Sequence, residues 1–425
     1  MRRLMAVVAR FAATLLLRRL EVAGEDRLPR RRPALLVANH FNGFVDPIVI
    51  TAALGRTPRF IAKAGLRRLP VAGALLRGAG VVFVQRRQDG GGDNDDAFAE
   101  CHRALADDDT VAIFPEGTTH DRPRLDPLKT GAARIALGAR QAGARGLVIV
   151  PVGLTFPDKV ALRSSALVQL GPPIELDDAI PPPVGPDDVE AVRRLTAVID
   201  QGLRDVSPDF PDTETALALE QAAHVALSSP GEPEPSLEAR YELARRLGRA
   251  TPAQQHDVRA QLGRYAAVLS GLHLSDADVI DPTSPTGLLR SAVGIGVLVV
   301  ALGGLVAATA LINIGPALLV ALVSLFVKTP VSKGTARVAV GLLAFPTAWI
   351  TAAVLSADGS LRVSLVVVTA AIGALAAIAL VERAMALARM LLRWQAQRER
   401  IGTVGLALAV RAEVITAVQH ATSTP

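Results

Sequence analysis

Short apolar runs alternate with amphipathic helical stretches between about residue 22 and residue 175 of the 425-residue chain. The runs are typical of buried strands and lie at residues 34–38, 81–84, 110–114, 146–152 and 166–170. Helical stretches lie between them at residues 48–54, 95–106 and 130–141. This order predicts an α/β domain in which helices flank a mixed sheet, and we expect the domain to cover residues 22–206.

The last third of the chain follows a different pattern, in which long stretches carry no charged residue. The longest covers residues 291–327, whereas one bilayer crossing needs about 20 helical residues. Asn313-Ile314-Gly315-Pro316 interrupts this stretch, so we expect two short spans or a re-entrant hairpin there. Residues 338–355 and 363–381 are two further spans. The pattern therefore predicts an all-α membrane domain of about four transmembrane helices over residues 286–382.

Positive charges at the ends of these spans predict how the chain crosses the membrane. Lys328, Lys333 and Arg337 lie between the second and third predicted spans, and further arginines follow the fourth. The loops at residues 313–316 and 357–360 carry no positive charge. By the positive-inside rule, the α/β domain and both termini face the cytoplasm, together with a C-terminal amphipathic segment, 383–425. We therefore expect a protein of the cell (inner) membrane with its α/β domain on the cytoplasmic face.

The N-terminal residues and the segment between the two domains have less distinct patterns. From Leu4 to Leu15, apolar residues recur at helical spacing beside five arginines. This is typical of an amphipathic membrane-surface helix over residues 1–21, and equally of a helix packed on the domain. Residues 207–285 predict a linker followed by two charged helices, which meet near Thr251-Pro252.

The charge and the cysteine content narrow the range of partners. One cysteine excludes an intrachain disulfide and a cysteine-based zinc site, and the seven histidines lack metal-ligand spacing, so we expect no metal. The net charge is +6, most of the positive residues are arginine, positive charge is spread over the flanks of the predicted spans, and aromatic residues make up 4% of the chain. This distribution favours an anionic membrane surface as partner and argues against nucleic acid.

A histidine and an aspartate follow the first predicted strand, at His40 and Asp46. Asp46-Pro47 predicts a helix start, because aspartate is a favoured N-cap and proline fits the first helical position. A carboxylate beside an imidazole holds the tautomer and stabilises the imidazolium, which suits a histidine that takes a proton from a hydroxyl. By themselves, however, the two residues are more typical of a helix cap beside a loop histidine.

Two further blocks lie at predicted strands. Residues 80–87 end with Arg86 and Arg87, and a guanidinium offers a fork of donors that is suited to a phosphate. Residues 148–152 are an apolar strand that contains Pro151, which predicts an edge strand or a bulge.

The fourth block, Phe114-Pro115-Glu116-Gly117-Thr118-Thr119, is a strand end followed by a tight turn. Glu116 is suited to accept a hydrogen bond from a polyol hydroxyl or to hold Arg86, although an Arg86–Glu116 contact is also typical of a structural ion pair. Gly117 allows a ligand to approach the backbone closely. Residues suited to bind a phosphorylated polyol are therefore Arg86, Glu116, Gly117, Thr118, Thr119 and, near a predicted helix N-terminus, Lys129.

Together, in this order and spacing, the four blocks resemble the glycerolipid acyltransferase family over about residues 22–175. That family has Asn-His-x4-Asp, Gly-x-Ile-Phe-Val-x-Arg, Phe-Pro-Glu-Gly-Thr-[Arg/Ser] and Val-Pro-[Ile/Val] blocks. Here five residues separate His40 from Asp46, and Thr119 replaces the arginine or serine. The longer His–Asp spacing and the stretch 116–133 resemble the branch of fungal glycerol-3-phosphate/dihydroxyacetone-phosphate acyltransferases.

The resemblance implies a membrane-bound enzyme that moves a fatty acyl chain from acyl-CoA or acyl carrier protein to a hydroxyl in phospholipid synthesis. The acceptor would be glycerol 3-phosphate, dihydroxyacetone phosphate or 1-acylglycerol 3-phosphate, and the branch favours the unacylated two. His40 would be the general base and Asp46 would assist it. The resemblance implies no cofactor and no acyl-enzyme.

Two alternatives stay open from the sequence. Water in place of the acceptor hydroxyl would make the chain an acyl thioesterase, which an assay with and without acceptor distinguishes. A non-catalytic membrane scaffold with an acyltransferase-like domain is the other, and the presence of His40, Asp46, Arg86, Glu116 and Gly117 argues against it.

Overall fold

The computed structural model describes residues 2–29, 32–68, 70–85, 94–158, 161, 163–232, 234–327, 330–356, 359–398 and 404–423. The chain divides into two compact units. The first contains residues 1–211 and 329–335, and the second contains residues 212–328 and 336–425.

An eight-stranded mixed sheet forms the centre of the first unit. Its strands are β1 (Leu17–Ala23), β2 (Ala34–Ala38), β3 (Arg59–Lys63), β4 (Val82–Val84), β5 (Thr110–Ile113), β6 (Val148–Thr155), β7 (Ser164–Leu170) and β8 (Ile174–Glu175). The order across the sheet is β1-β7-β6-β2-β5-β3-β4, with β8 beside β6. β7 and β8 run antiparallel to β6, and the other neighbouring strands are parallel. The predicted α/β fold is confirmed.

Helices cover this sheet and bury its central strands. They are α1 (Arg2–Leu16), α2 (Val45–Leu54), α3 (Pro70–Gly78), α4 (Asp95–Ala106), α5 (Gly131–Gln141), α6 (Leu176–Ala179) and α7 (Val189–Arg204). Apolar side chains of α4, α5 and α7 form one core with Leu35 and Val37 of β2. Every residue of β2 is buried, as expected for a strand that is covered on both faces.

The N-terminal helix is shorter than the sequence predicts, because Leu17–Ala23 forms β1 instead of continuing α1. β1 gains its hydrogen bonds from β7, with Leu20 opposite Ala166 and Val22 opposite Val168. Its conformation therefore depends on a partner far along the chain. β3 and β8 are also absent from the sequence prediction, whereas the other five strands overlap predicted runs.

Pro151 lies inside the sheet, so the prediction of an edge strand there is wrong. β6 pairs with β2 on one side, and on the other with β8 at Val148 and Ile149, then with β7 from Val152 onward. The carbonyl of Pro151 accepts from Gly171 N at 2.8 Å, and a strand residue directs its N–H and C=O to the same side. Pro151 thus lies at the point where the partner of β6 changes from β8 to β7, so its missing N–H interrupts neither pairing.

α1 has two apolar faces, and only one of them packs on the domain. The buried face consists of alanines (Ala6, Ala9, Ala12 and Ala13), and α1 packs against α2. The outward face exposes Leu4 and Val7, at 57% and 63% of their accessible surface. The alanine face of α1 thus packs on the domain, and its Leu4 and Val7 face stays exposed.

Apart from an isolated β-bridge between Ser229 and Glu232, the regular secondary structure in the described part of the second unit is helical. The helices that lie wholly or mainly in this unit are α8 (Thr213–Leu227), α9 (Leu237–Arg249), α10 (Pro252–Leu272), α11 (Asp276–Ile280), α12 (Pro285–Phe326), α13 (Pro330–Ser356), α14 (Ser360–Arg398) and α15 (Val404–Ser423). α9 and α10 confirm the two predicted charged helices, and the Thr251 side chain caps α10.

α12 continues as one helix through residues 313–316, so the predicted break there is wrong. Pro316 removes one backbone donor, but a turn at this point would leave more backbone groups unpaired among apolar side chains. Asn313 instead joins three helices. Its Nδ2 donates to the Ala370 carbonyl of α14 at 3.1 Å, and its Oδ1 accepts from Trp349 Nε1 of α13 at 2.9 Å.

Four helices among the described residues are long and apolar enough to cross a membrane, judged by length and composition. They are α12, residues 336–356 of α13, residues 360–395 of α14, and α15. The number agrees with the prediction, but α12 replaces two predicted spans and α15 lies in the segment predicted to be cytoplasmic. α15 packs on α8 and α10, and its buried Arg411 bonds to Asp276. The apolar helices indicate a membrane protein.

Candidate active site

The loops that follow β2 and β5 meet at one edge of the sheet. β2 and β5 are parallel neighbours, so their carboxyl ends lie side by side. His40 comes two residues after β2, and Glu116 comes three residues after β5. The His40 backbone N–H donates to Glu116 Oε1 at 2.9 Å. Two of the four predicted blocks are therefore in direct contact.

His40 and Asp46 form a buried pair, with 2.9 Å between Nδ1 and Oδ2. The same carboxylate oxygen accepts the backbone N–H groups of Phe41 and Asn42, each at 2.8 Å. Asp46 itself is fully buried. Three donors thus converge on one oxygen of an aspartate in the first turn of α2, where the helix dipole also favours a negative charge.

The helix begins one residue before Asp46, so the prediction that Asp46 is the N-cap is wrong. Phe44 is the N-cap and makes no side-chain capping bond, while the Asp46 carboxylate turns back to bind the loop that carries His40. The longer spacing between His40 and Asp46 is accommodated by this loop, and the contact between the two side chains is kept.

The geometry determines which imidazole nitrogen is available. A carboxylate accepts, so Nδ1 carries the proton that it shares with Asp46, and Nε2 holds the lone pair. Among the hydrogen bonds of the described residues, the His40 ring takes part through Nδ1 and not through Nε2. The ring stacks on Phe114, with 4.0 Å between centroids and 16° between planes, and Phe114 in turn lies parallel to Phe60. These contacts hold the orientation of the His40 ring.

Glu116 occupies a different position from the one expected for a residue that binds a polyol hydroxyl. It is 2% exposed, and its Oε2 accepts from the Asp126 backbone N–H at 2.9 Å while Oε1 accepts from His40. A third donor, Nε2 of His120, lies 2.5 Å from Oε2. Through these hydrogen bonds, the Glu116 carboxylate fixes the position of the His40 loop.

His120 is a site residue that the sequence analysis does not identify. It is buried, its Nε2 donates to Glu116, and its ring meets Phe41 edge-on with 5.7 Å between centroids. It lies in the stretch 116–133 that resembles the fungal branch, immediately after Thr119, and this proximity was the signal available. His120 therefore supports the His40 loop through its contacts with Glu116 and Phe41.

Glu116, His120 and Asp126 offer ligand atoms within 4.8 Å of one another, which is the spacing of a candidate metal site. The donor set fits a metal poorly, however. Backbone N–H groups already donate to both oxygens of Glu116, and Asp126 pairs with Arg122 at 2.6 Å. A cation bound here would displace these donors, and the structure therefore supports a hydrogen-bonded brace.

Gly117 and Lys129 lie together beside this turn. Gly117 has a φ of +68°, and a Cβ at this position would lie 2.5 Å from Lys129 Nζ. The Lys129 N–H donates to the Pro115 carbonyl at 2.9 Å, two residues before α5 begins. Thr118 and Thr119 follow in the same turn and are half-buried. Arg86 and Arg87 lie outside the described residues.

The cysteine is placed where it cannot serve as a nucleophile. Cys101 is fully buried in α4, and burial raises the pKa of its thiol to about 12. A thiol with this pKa is inert at neutral pH.

The acyltransferase family model matches residues 19–155, which include every site residue described above. Over these residues, the chain is similar to acyltransferases that act on glycerolipids. The acyltransferase region is 34% identical, over 156 residues, to glycerol-3-phosphate O-acyltransferase 2 of Saccharomyces cerevisiae, a match that covers 36% of this chain and 21% of that protein.

Two further relatives are named for different activities. Lyso-ornithine lipid O-acyltransferase of Rhizobium meliloti is 33% identical over 47% of this chain and 63% of its own length. A chloroplastic 1-acyl-sn-glycerol-3-phosphate acyltransferase of Brassica napus is 31% identical over 33% of this chain and 38% of its own length. In all three comparisons, the chain spans less than two thirds of the relative.

Proposed function

We propose that the chain is a membrane-bound O-acyltransferase that moves a fatty acyl chain from an acyl thioester to a hydroxyl of a glycerol-phosphate acceptor. The observation that carries this proposal is the buried His40–Asp46 pair, with Nε2 of His40 open and Nδ1 held at 2.9 Å. The thioester donor is acyl-coenzyme A or acyl carrier protein.

The reaction follows from this geometry. His40 Nε2 takes the proton of the acceptor hydroxyl while Asp46 stabilises the imidazolium that forms. The acceptor oxygen forms a bond to the thioester carbonyl carbon, the carbon–sulfur bond breaks, and the imidazolium returns its proton to the leaving thiolate. General-base catalysis of this kind contributes about 10²–10⁴-fold to the rate.

The acceptor phosphate needs positive charge and backbone donors close to His40. Lys129 and the Gly117 turn, with Thr118 and Thr119, supply them beside the Glu116 brace. We assign glycerol 3-phosphate or dihydroxyacetone phosphate as the first acceptors to test, since the longer His–Asp spacing resembles that branch, and 1-acylglycerol 3-phosphate as the second. Arg86 remains a predicted phosphate ligand.

The membrane helices and α1 would hold this site at a lipid surface. Exposed Leu4 and Val7 on α1 are suited to contact a bilayer, and the arginines nearby favour anionic lipid. The cytoplasmic location of the acyltransferase domain stays a prediction from the sequence, since its positive-inside argument assumes two spans where α12 is one helix.

The test is transfer of radiolabelled acyl chain from acyl-coenzyme A by membranes that contain the chain, with each acceptor offered separately. We expect label in one acceptor, and a loss of at least about 100-fold in His40→Ala. His256→Ala is the matched control, because His256 is exposed on α10 in the second unit. Transfer that survives in His40→Ala would refute the proposal.

The acyl thioesterase is a second candidate, because the same base can activate water. The comparison is between the rate of fatty acid release without acceptor and the rate of acyl transfer with acceptor. Equal rates would favour the thioesterase. Acyl carrier protein is offered as donor in a parallel reaction.

A further inference from the structure

A cavity of about 470 Å³ lies next to the Glu116 turn, between the loop of residues 122–127 and the residues that follow α7. Arg122, Arg124 and Arg204 line it, and Leu125 and Phe210 form its apolar floor. We call this cavity the arginine pocket. Its volume lies in the range of small-molecule sites, about 300–1,000 Å³.

Hydrogen bonds and ion pairs within the protein hold the shape of the pocket. The Phe210 N–H donates to the Pro123 carbonyl at 2.8 Å and ties the loop to the segment after α7. Arg122 pairs with Asp126 at 2.6 Å, and Arg204 pairs with Asp200 at 2.6 Å and with Asp209 at 3.0 Å. Two guanidinium groups are therefore oriented in advance, at little further cost in side-chain entropy when a ligand binds.

Arg124 differs from these two arginines. It is exposed at the pocket, and within the described residues no acidic side chain pairs with it. A guanidinium presents a planar fork of donors that matches phosphate oxygens. The rim also carries Asp126 and Asp209, which pair with Arg122 and Arg204, so Arg124 is the rim arginine that no rim carboxylate neutralises. A free guanidinium above an apolar floor fits a ligand that carries a phosphate group on an aromatic or otherwise apolar body.

The pocket is connected to the catalytic residues through one carboxylate. The Asp126 N–H donates to Glu116 Oε2, and Glu116 Oε1 accepts from the His40 N–H, each at 2.9 Å. The pocket wall thus lies one side chain away from the His40 loop. This connection ties the position of the pocket wall to that of the His40 loop.

We propose that the arginine pocket binds the phosphate-bearing nucleotide end of the acyl-coenzyme A donor, an assignment that rests on the proposed acyl transfer. The acceptor is the other source of phosphate, but its phosphate is separated from the attacked hydroxyl by few bonds and must lie beside His40, near Gly117 and Lys129. The phosphates of coenzyme A are separated from the thioester by the long pantetheine arm, which suits a site at some distance.

The first test measures binding without turnover. Calorimetry on the full chain in detergent compares coenzyme A with dephospho-coenzyme A, for the wild type and Arg124→Gln. We expect the substitution to weaken coenzyme A binding about tenfold, the value of one lost charge-assisted hydrogen bond. Arg145→Gln, an exposed arginine before β6 at the opposite end of the parallel strands, should leave it unchanged. Equal affinity for Arg124→Gln and the wild type would overturn the proposal.

Steady-state kinetics then separates the two phosphate sources. We expect Arg124→Gln to raise the KM for acyl-coenzyme A about tenfold while the KM for glycerol 3-phosphate stays the same. A higher KM for the acceptor alone would move the pocket to the acceptor phosphate and refute the proposal. Coenzyme A binding that depends on Arg124, without any acyl transfer by the wild type, would instead refute the proposed function and leave the pocket standing.

Discussion

Replacing Asp46 by asparagine removes one charge and keeps the shape of the side chain. In the wild type, Oδ2 accepts from His40 Nδ1 and from two backbone N–H groups, at 2.8–2.9 Å. The amide oxygen of asparagine can accept the same three donors, so the loop keeps its conformation. The amide NH₂ then takes the position of Oδ1, which is buried and has no hydrogen-bond partner among the described residues.

The size of the effect follows from the charge that develops on His40. An imidazolium and a carboxylate about 4 Å apart attract each other by ~4 kcal/mol at an effective dielectric constant of 20. Because this attraction exists only after proton transfer, it lowers the barrier and not the ground state. A neutral amide keeps part of it through its dipole, so we expect kcat to fall about 10²–10³-fold with little change in KM.

The assay is acyl transfer at saturating donor, with kcat and KM measured for the wild type, Asp46→Asn, His40→Ala and the double variant. If Asp46 acts through His40, its substitution should cost nothing further once His40 is removed. Asp188→Asn is the matched control, since Asp188 caps α7 in the same unit by accepting from Ala191 N at 2.9 Å. A kcat for Asp46→Asn within a few-fold of the wild type, or additive losses in the double variant, would refute the reasoning.

Two further predictions follow from contacts around the sheet. His120→Asn should lower kcat about tenfold and leave the KM values nearly unchanged, because one hydrogen bond to the Glu116 brace is weakened; a changed KM with an unchanged kcat would instead place His120 in substrate binding. Burial raises the pKa of Asp109, but hydrogen bonds from Arg2 and Arg59 outweigh this and bring it to about 2. An unfolded aspartate has a pKa of ~3.9, so this carboxylate should stabilise the first unit by about 1–2 kcal/mol above pH ~4 and lose that effect as the pH falls toward about 2. The difference in thermal midpoint between the wild type and Asp109→Asn measures it, and a difference that stays constant between pH 5 and pH 2 would contradict the assignment.

The contact between His40 and Asp46 could be predicted because it is local. Six positions separate the two residues, and both lie in the loop and helix start that follow one strand. The apolar run before them predicts the strand, so the sequence also indicates the edge at which they lie. The sequence could not show that Asp46 is not the N-cap of α2, because this depends on which way the carboxylate turns.

The roles of Glu116 and His120 depend on contacts that the local pattern does not contain. His40 and Glu116 are 76 positions apart, and the β2–β5 pairing brings them together. A carboxylate in a turn is equally suited to a ligand, an arginine or a backbone N–H until its neighbours are known. The sequence therefore selects Glu116 as important, and the tertiary structure determines that it braces the His40 loop.

For the apolar helices as well, some features follow from the sequence and others from tertiary contacts. Hydropathy by itself determines that helices in the last third of the chain are apolar enough for a bilayer, since each residue contributes independently of its neighbours in space. Tertiary contacts decide that α12 passes through Pro316 without a break and that α15 packs on α8 and α10. The sequence by itself determined the α/β pattern, the His40–Asp46 pair and the apolar helices, all of which are local. Only the tertiary structure decided β1, the Glu116–His120 brace and the arginine pocket, because each depends on residues that are distant in sequence and meet after folding.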